Sequence, residues 1–227
     1  MLQEELYPIK IGLLDTVTFK LLTNIEDYLL HERGFLERDF CKHALEVLEQ
    51  SEWEKHFFTG YETNDPEHGF GWQREVQSSP SGGEEPEFLG HSNSGWKEEQ
   101  AKINNVIIRK LQSTLTEYVR SFKYGWFDGW NGYSIIKFIK YSEGNQMAEH
   151  CDHISSLFDG KTKGIPMLSV VGQLNEDFEG GEFVMWGDKV IEFKGGDLIV
   201  FPSNFMYPHK VQPVKKGTRY SYVSWAY

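Results

Sequence analysis

His150-Cys151-Asp152 sets an imidazole and a carboxylate two positions apart. In an extended segment alternate side chains share a face, so His150 and Asp152 project together and Cys151 points away. Such a pair is two thirds of the two-histidine, one-carboxylate triad that holds Fe(II) on one side and leaves the opposite positions open. In a chain with 8 His the pattern alone reads as a surface ion pair. The C-terminal stretch changes that reading. It supplies His209 on a later strand-like run and Arg219 ten residues later inside another. The ordered set His-x-Asp, a remote His, then an Arg points to a metal site with a guanidinium behind it.

A planar guanidinium holds a carboxylate through two parallel hydrogen bonds, the task to which Arg is best adapted in a partly buried pocket. Hydroxyl donors are expected around such a pair, because a buried ion pair needs its remaining lone pairs satisfied. Thr218 precedes Arg219 and should point the other way. A zinc site built from His150, Cys151 and His153 is disfavoured, since neighbours on a strand face opposite sides.

With these residues in place, Tyr141 to Trp225 resembles the Fe(II)/2-oxoglutarate dioxygenases, and within them the prolyl 4-hydroxylase-like branch. Looser similarity reaches back to about Gly132. Between the ligands lie the family-like segments Leu174-Asn175, Phe178-Glu-Gly-Gly-Glu182 and Gly196-Asp-Leu-Ile-Val-Phe-Pro202. The resemblance covers somewhat more than a third of the chain. It implies that His150, Asp152 and His209 bind Fe(II) and that Arg219 takes the distal carboxylate of 2-oxoglutarate. Tyr141, nine residues before His150, stands where the prolyl hydroxylases carry a Tyr that contacts the co-substrate; it also reads as a packed strand Tyr. Trp225 shares a strand face with Arg219 and stands where the family keeps a Trp beside the substrate proline; it reads equally as a core Trp. Two positions depart from the family pattern. Met147 replaces a substrate-touching Tyr, and Gln173 replaces a Tyr near the co-substrate, where its amide can still donate to a carboxylate.

The chemistry implied by the resemblance consumes O2 and 2-oxoglutarate, with ascorbate as reductant, and releases succinate and CO2. It hydroxylates an unactivated C–H bond, preferably of a prolyl residue in a peptide or protein, giving 4-hydroxyproline. Other oxygenase targets are a lysyl or other side chain, a free amino acid or a nucleic-acid alkyl group. A catalytically silent β-barrel binding module is the alternative of another class, and it has no need of an intact triad plus Arg219.

The elements that must position these residues follow from pattern. The chain has 227 residues, 39% hydrophobic, 25% charged and 15% aromatic, values that suit one globular domain with a β-rich core. From Tyr133 onward, short β-type runs separated by turn signals span 133–141, 146–152, 166–174, 182–186, 189–193, 197–201, 207–211 and 219–226. Eight such runs suggest a jelly roll or barrel. The resemblance implies the double-stranded β-helix, a mainly β fold with flanking helices. Residues 1–227 are therefore expected to form a single domain, with 132–227 as the jelly-roll core and 1–131 as a helical support region. Residues 8–20 allow an early strand. Asn24 to Glu49 reads as helical, with Asn24 as a cap, and is expected to brace a sheet more than to bind a partner. Ile103, Val106, Ile107, Leu111, Leu115, Tyr118, Val119 and Phe122 recur at helical spacing and predict a helix over 97–122. Segment 60–95 is rich in Pro, Gly, Ser and Glu and reads as a flexible loop, either a surface insertion or a flap over substrate.

A formal charge of −11 argues against a broad grip on nucleic acid or an acidic membrane surface, and favours a neutral or basic peptide partner. Cys41 and Cys151, the two cysteines, fit a reduced protein. With no signal-like or spanning segment, a soluble cytoplasmic protein is expected. The oligomeric state is left open.

Overall fold

The computed structural model describes residues 24–50, 53–56, 76–78, 98–122, 132–134, 136–152 and 166–227. The expected strand over 8–20 and His153 lie outside the described residues. A 3-10 turn, Ile25–Tyr28, leads into strand β1 (Leu30–Glu32) and helix α1 (Arg38–Leu48). Strands β2 (Glu54–His56) and β3 (Val76–Ser78) precede the long helix α2 (Glu98–Ser121). Then come β4 (Lys137–Tyr141), β5 (Met147–His150), β6 (Leu168–Gln173), β7 (Glu179–Gly180) and β8 (Phe183–Met185). The chain closes with β9 (Lys189–Ile191), β10 (Leu198–Pro202), β11 (His209–Val211), β12 (Val214–Lys216) and β13 (Arg219–Ala226).

A seven-stranded sheet runs β1-β10-β6-β13-β4-β3-β2, a four-stranded sheet runs β5-β11-β8-β9, and β12 pairs with β7; every pairing given is antiparallel. This is the mainly β, double-sheet architecture with flanking helices that the family resemblance implies.

Period-2 alternation divides the large sheet into two faces. Phe138, Leu168, Val170, Leu198, Val200, Tyr222 and Ala226 pack outward against α1 and α2. On α2 the buried positions are Gln100, Ile103, Asn104, Ile107, Ile108, Leu111, Thr114, Leu115 and Tyr118, a stripe at three- and four-residue intervals. Val106, expected on that stripe, is exposed, and Ile108 is buried beside it. The opposite face carries Ile139, Tyr141, Val171, Ile199 and Phe201, which meet Phe183, Met185 and Val211 of the smaller sheet. The functional residues line this inner face.

At Gly172 the outer face makes a close approach. Register sets Gly172 opposite Tyr222, and a Cβ there would lie 1.9 Å from Tyr222 Cζ, so the ring occupies the space a side chain would take. Tyr222 is fully buried at this point of the helix–sheet contact.

Two expectations are corrected. Asn24 to Glu49 is not helical throughout, because Leu30, His31 and Glu32 add an edge strand to β10. The backbone groups of β10 reward pairing more than local helix propensity rewards continuation. Asn24 precedes the 3-10 turn without a side-chain capping bond. Segment 60–95 contains β3, which joins the large sheet beside β4; the rest of it lies outside the described residues apart from that strand. The short pair β7–β12 was not foretold either.

Candidate metal centre and carboxylate pocket

Strand pairing, more than loop geometry, assembles the triad. His150 ends β5, His209 begins β11, and the two are direct partners in the antiparallel register. Their ring centroids are 4.4 Å apart. Asp152 follows one residue beyond the strand, and its Oδ1 lies 3.4 Å from His150 Nε2 and 3.6 Å from His209 Nε2. The ligand atoms of all three residues fall within 4.8 Å of one another. Donors bound at about 2.1 Å on one octahedral face lie roughly 3 Å apart, so a small inward adjustment suffices to close them on a divalent ion.

Both rings are oriented for that task. His150 Nδ1 donates to Ala148 O at 2.7 Å and His209 Nδ1 to Tyr207 O at 3.0 Å. With the proton held at Nδ1, each Nε2 is left as the donor atom available to a metal, on the side where Asp152 lies. His209 is also fixed by Phe183, stacked at 5.4 Å, and Phe201, edge-on at 5.1 Å. Burial, joined by the nearby His150, pulls His209 down to about 4, so at neutral pH it carries the uncharged imidazole a metal requires. Burial alone would lower His150 too, but Asp152 and the Ala148 carbonyl outweigh it and raise it. Desolvation alone would raise Asp152; His209, His150 and Ser169 outweigh it and hold the carboxyl well below its usual range. Ser169 Oγ donates to Asp152 Oδ2 at 2.5 Å and lies 2.8 Å from Ser203 Oγ.

Arg219 stands three inward-facing positions along β13 from Trp225. It is 1% exposed. Its Nη1 donates to Ser221 Oγ at 3.0 Å, and its guanidinium sits 5.1 Å from the centre of the Tyr141 ring, its direct partner in register. Nη2 is buried without a hydrogen-bond partner. A buried cation with an unmet donor suits the reception of an anion, and no carboxylate pairs with it among the described residues. Burial lowers Arg219 to about 10, with the Tyr141 hydroxyl opposing the fall, so it stays charged at neutral pH. Tyr141 is pushed up to about 12, chiefly by burial, and remains a neutral donor. Gly181 makes room for the Arg219 stem. At φ 64° it takes a conformation that suits glycine, and a Cβ there would lie 3.1 Å from Arg219 Cδ.

Gln173 faces the same cavity opposite Ser221. One of its amide N–H groups donates to Asn175 O at 2.9 Å, and its Oε1 is buried without a partner. Trp225 pairs with Ser169, so its half-exposed ring shares a face with the hydroxyl that holds Asp152. Met147 is buried in the inner apolar cluster, directly across from Val211. Cys151 turns off the ligand face, its Sγ 3.6 Å from Phe205 O. Sequence reasoning missed Ser169, Ser203 and Ser221. Ser221 was within reach, since the residue two beyond a strand Arg must share its face.

The remaining family-like segments hold the frame. Asn175 Nδ2 donates to Thr218 O at 2.7 Å and its Oδ1 accepts from Tyr220 N at 2.8 Å, anchoring the start of β13. Asp197 accepts from Gly34 N at 2.9 Å and Lys194 N at 3.1 Å and pairs with His31 at 3.1 Å, tying β1 to the entry of β10.

Residues 136–227 match the family model of the 2OG-Fe(II) oxygenase superfamily. A PKHD-type hydroxylase of Idiomarina loihiensis is 33% identical over 89 residues, 38% of this chain and 38% of that protein. The first such relatives are matched over only about two fifths of their own length. A Pseudomonas putida prolyl-4-hydroxylase superposes with a TM-score of 0.54 at 20% identity, over 88% of this chain and 91% of that one. A Trichoplax adhaerens prolyl hydroxylase in complex with a hypoxia inducible factor peptide fragment gives 0.58 at 16% identity, over 88% and 83%. Likeness at that identity speaks for the fold, and the superfamily match falls on the segment that carries the triad and Arg219. Residues 136–227 are thus similar to the 2OG-Fe(II) oxygenase superfamily, and the chain shares the fold of the prolyl hydroxylases it superposes on.

Proposed function

We propose that this protein is an Fe(II)- and 2-oxoglutarate-dependent dioxygenase that hydroxylates prolyl residues of a peptide or protein to 4-hydroxyproline, working as one catalytic domain over residues 1–227. The observation that carries the reading is the pairing of two features around Tyr141, which lies within electrostatic reach of both Arg219 and Asp152. A His150–Asp152–His209 donor set lies within 4.8 Å, and on the inner face of the large sheet Arg219 is buried with Nη2 unsatisfied. The donor set fits iron: two imidazoles and one carboxylate suit a divalent metal with positions left open, and metal entry would displace any proton on His150 Nε2. When bound, iron and 2-oxoglutarate supply the oxidative chemistry, consuming O2 and releasing succinate and CO2 as a C–H bond becomes C–OH.

The chain's own residues do the rest. His150, Asp152 and His209 hold the metal, with Ser169 fixing the Asp152 carboxylate. Arg219 receives the distal carboxylate, with Ser221 and Tyr141 placed to complete its hydrogen bonds. Gln173 lines the same end and orients the co-substrate through its amide. Trp225 and Met147 flank the metal on the substrate side, where apolar surface excludes water from the reacting carbon. Prolyl hydroxylases among the similar folds, one with a bound peptide, support a peptide substrate. Ascorbate serves as the reductant. Two free thiols, Cys41 and Cys151, favour a cytoplasmic setting, and no helix among the described residues is long and apolar enough to cross a membrane.

Anaerobic titration with Fe(II) and then 2-oxoglutarate tests the site: the weak visible charge-transfer band of chelated 2-oxoglutarate is expected, and its absence refutes the assignment. Mass spectrometry of proline-rich peptides incubated with Fe(II), 2-oxoglutarate, ascorbate and air tests the substrate. A gain of one oxygen on proline is expected; oxidation confined to other residues refutes the prolyl target.

A further inference from the structure

One cation on the inner face of the large sheet is not used by this reading. Lys137 opens β4 and pairs with Val223. Along the same strand Phe138 packs outward, while Ile139 and Tyr141 lie in the inner cluster, so alternation puts Lys137 on the inner face. Trp225 is one inward position away from its partner Val223, about 7 Å along the strand, and Arg219 is two positions the other way, about 14 Å. Lys137 therefore flanks the space between the metal end and the carboxylate end.

It has no hydrogen-bond, ion-pair or ring partner among the described residues. Lys140, three residues on and facing outward, shows the contrast. Its ammonium binds both carboxylate oxygens of Glu49 and sits over the rings of Trp53 and Tyr220. Lys137 is half-buried, and burial alone pulls it down to about 8. Withdrawing an ammonium from water without a counter-charge is unfavourable, and such a group is retained where an incoming anion compensates it.

Charge counting indicates which anion. In the loaded site, iron(II) and Arg219 are balanced by Asp152 and the two carboxylates of 2-oxoglutarate. Lys137 remains in excess. Building on the dioxygenase reading above, we propose that Lys137 selects a substrate carrying a carboxylate next to the hydroxylated residue, either an Asp or Glu side chain or a chain terminus. The formal charge of −11 gives no long-range attraction for an acid, so the selection is made at contact, inside the cavity.

The test uses the full chain loaded anaerobically with redox-silent Mn(II) and 2-oxoglutarate. Acetyl-Pro-Glu-amide and acetyl-Glu-Pro-amide are compared with their Gln counterparts by calorimetry, on the unaltered protein and on Lys137→Met and Lys137→Arg. At least one Glu peptide is expected to bind tenfold or more tighter than its Gln counterpart. Lys137→Met should erase that difference while leaving the Gln peptide unchanged, and Lys137→Arg should keep it. Equal binding of Glu and Gln peptides, no binding of either Glu peptide, or a preference that survives Lys137→Met overturns the proposal. The Fe(II)–2-oxoglutarate absorption band is read in parallel. If it forms in both proteins, the dioxygenase reading stands whatever the peptides do. A band weakened in Lys137→Met would assign the lysine to the co-substrate and also overturn the proposal.

Discussion

Arg219→Met should make the ligand-free protein more stable while removing its response to 2-oxoglutarate. Arg219 is 1% exposed, has no carboxylate partner among the described residues, and leaves Nη2 unmet. Burial lowers it from an ordinary 12.5 to about 10, which corresponds to a cost of about 3 kcal/mol for keeping the cation there. Against this stand the hydrogen bond to Ser221, about 1 kcal/mol, and the contact with the Tyr141 ring, about 1 kcal/mol. Replacing the guanidinium by an apolar chain of similar length leaves a net gain of about 1 kcal/mol, or roughly 2–4 °C in Tm for a chain of this size. The unaltered protein loaded with Mn(II) should gain about 2.7 kcal/mol from 2-oxoglutarate at a hundred times its Kd. The variant should gain almost nothing at the same concentration. Differential scanning calorimetry with and without 2-oxoglutarate measures all four states. A variant several degrees less stable without ligand, or one with an undiminished ligand shift, would show that Arg219 is a structural cation and not a receptor for a diacid.

The other expected outcomes are more local. His209→Ala removes one of three donors and should lower Mn(II) affinity by about a hundredfold or more, read by the electron paramagnetic signal of free Mn(II); unchanged affinity would remove His209 from the site. Gly172→Ala drives a Cβ to 1.9 Å from Tyr222 Cζ at a fully buried ring, so urea melts should show a loss of about 1–3 kcal/mol or more, and a neutral result would mean the ring can move aside. Asp197 is held below its usual carboxylate range because Gly34, Lys194 and His31 overcome the penalty of burial. A carboxyl depressed in the folded state contributes stability that is complete above its unfolded value, about 3.9, and is lost as pH falls through the folded value. The stability gap between the unaltered protein and Asp197→Asn should therefore close below about pH 4, and a gap that stays constant with pH would deny the charge any part.

The grouping of His150, Asp152 and His209 was legible because each of its members is marked by residue type and spacing. His150 and Asp152 share a face at a separation of two, and a second His followed by an Arg completes a recognisable order. Invisible in one dimension was the reason they meet, which is the register pairing His150 with His209 across β5 and β11. The serines around the site were missed for a related reason. Ser169 matters only because β6 lies beside β13 and beneath Asp152, a neighbour relation between residues 17 positions apart. Local pattern likewise could not show that Leu30–Glu32 leaves the helical reading. The pull came from the free edge of β10, about 170 residues away along the chain.

The two halves of the cavity are built on opposite principles, and the difference has consequences for binding order. At the metal end every orienting bond is already made: Ala148 O and Tyr207 O hold the imidazoles, Ser169 holds the carboxylate, and the donors stand within 4.8 Å before any ion arrives. Metal entry therefore costs little reorganisation. At the other end Arg219 Nη2 and Gln173 Oε1 are left without partners among the described residues. Those unmet groups penalise the empty pocket, and an incoming carboxylate relieves the Arg219 cation. The metal site is thus complete in itself, whereas the anion pocket is completed by what it binds. A diacid should accordingly bind far more weakly to the metal-free protein than to the loaded one, because Arg219 holds one carboxylate while the other needs the metal to grip it.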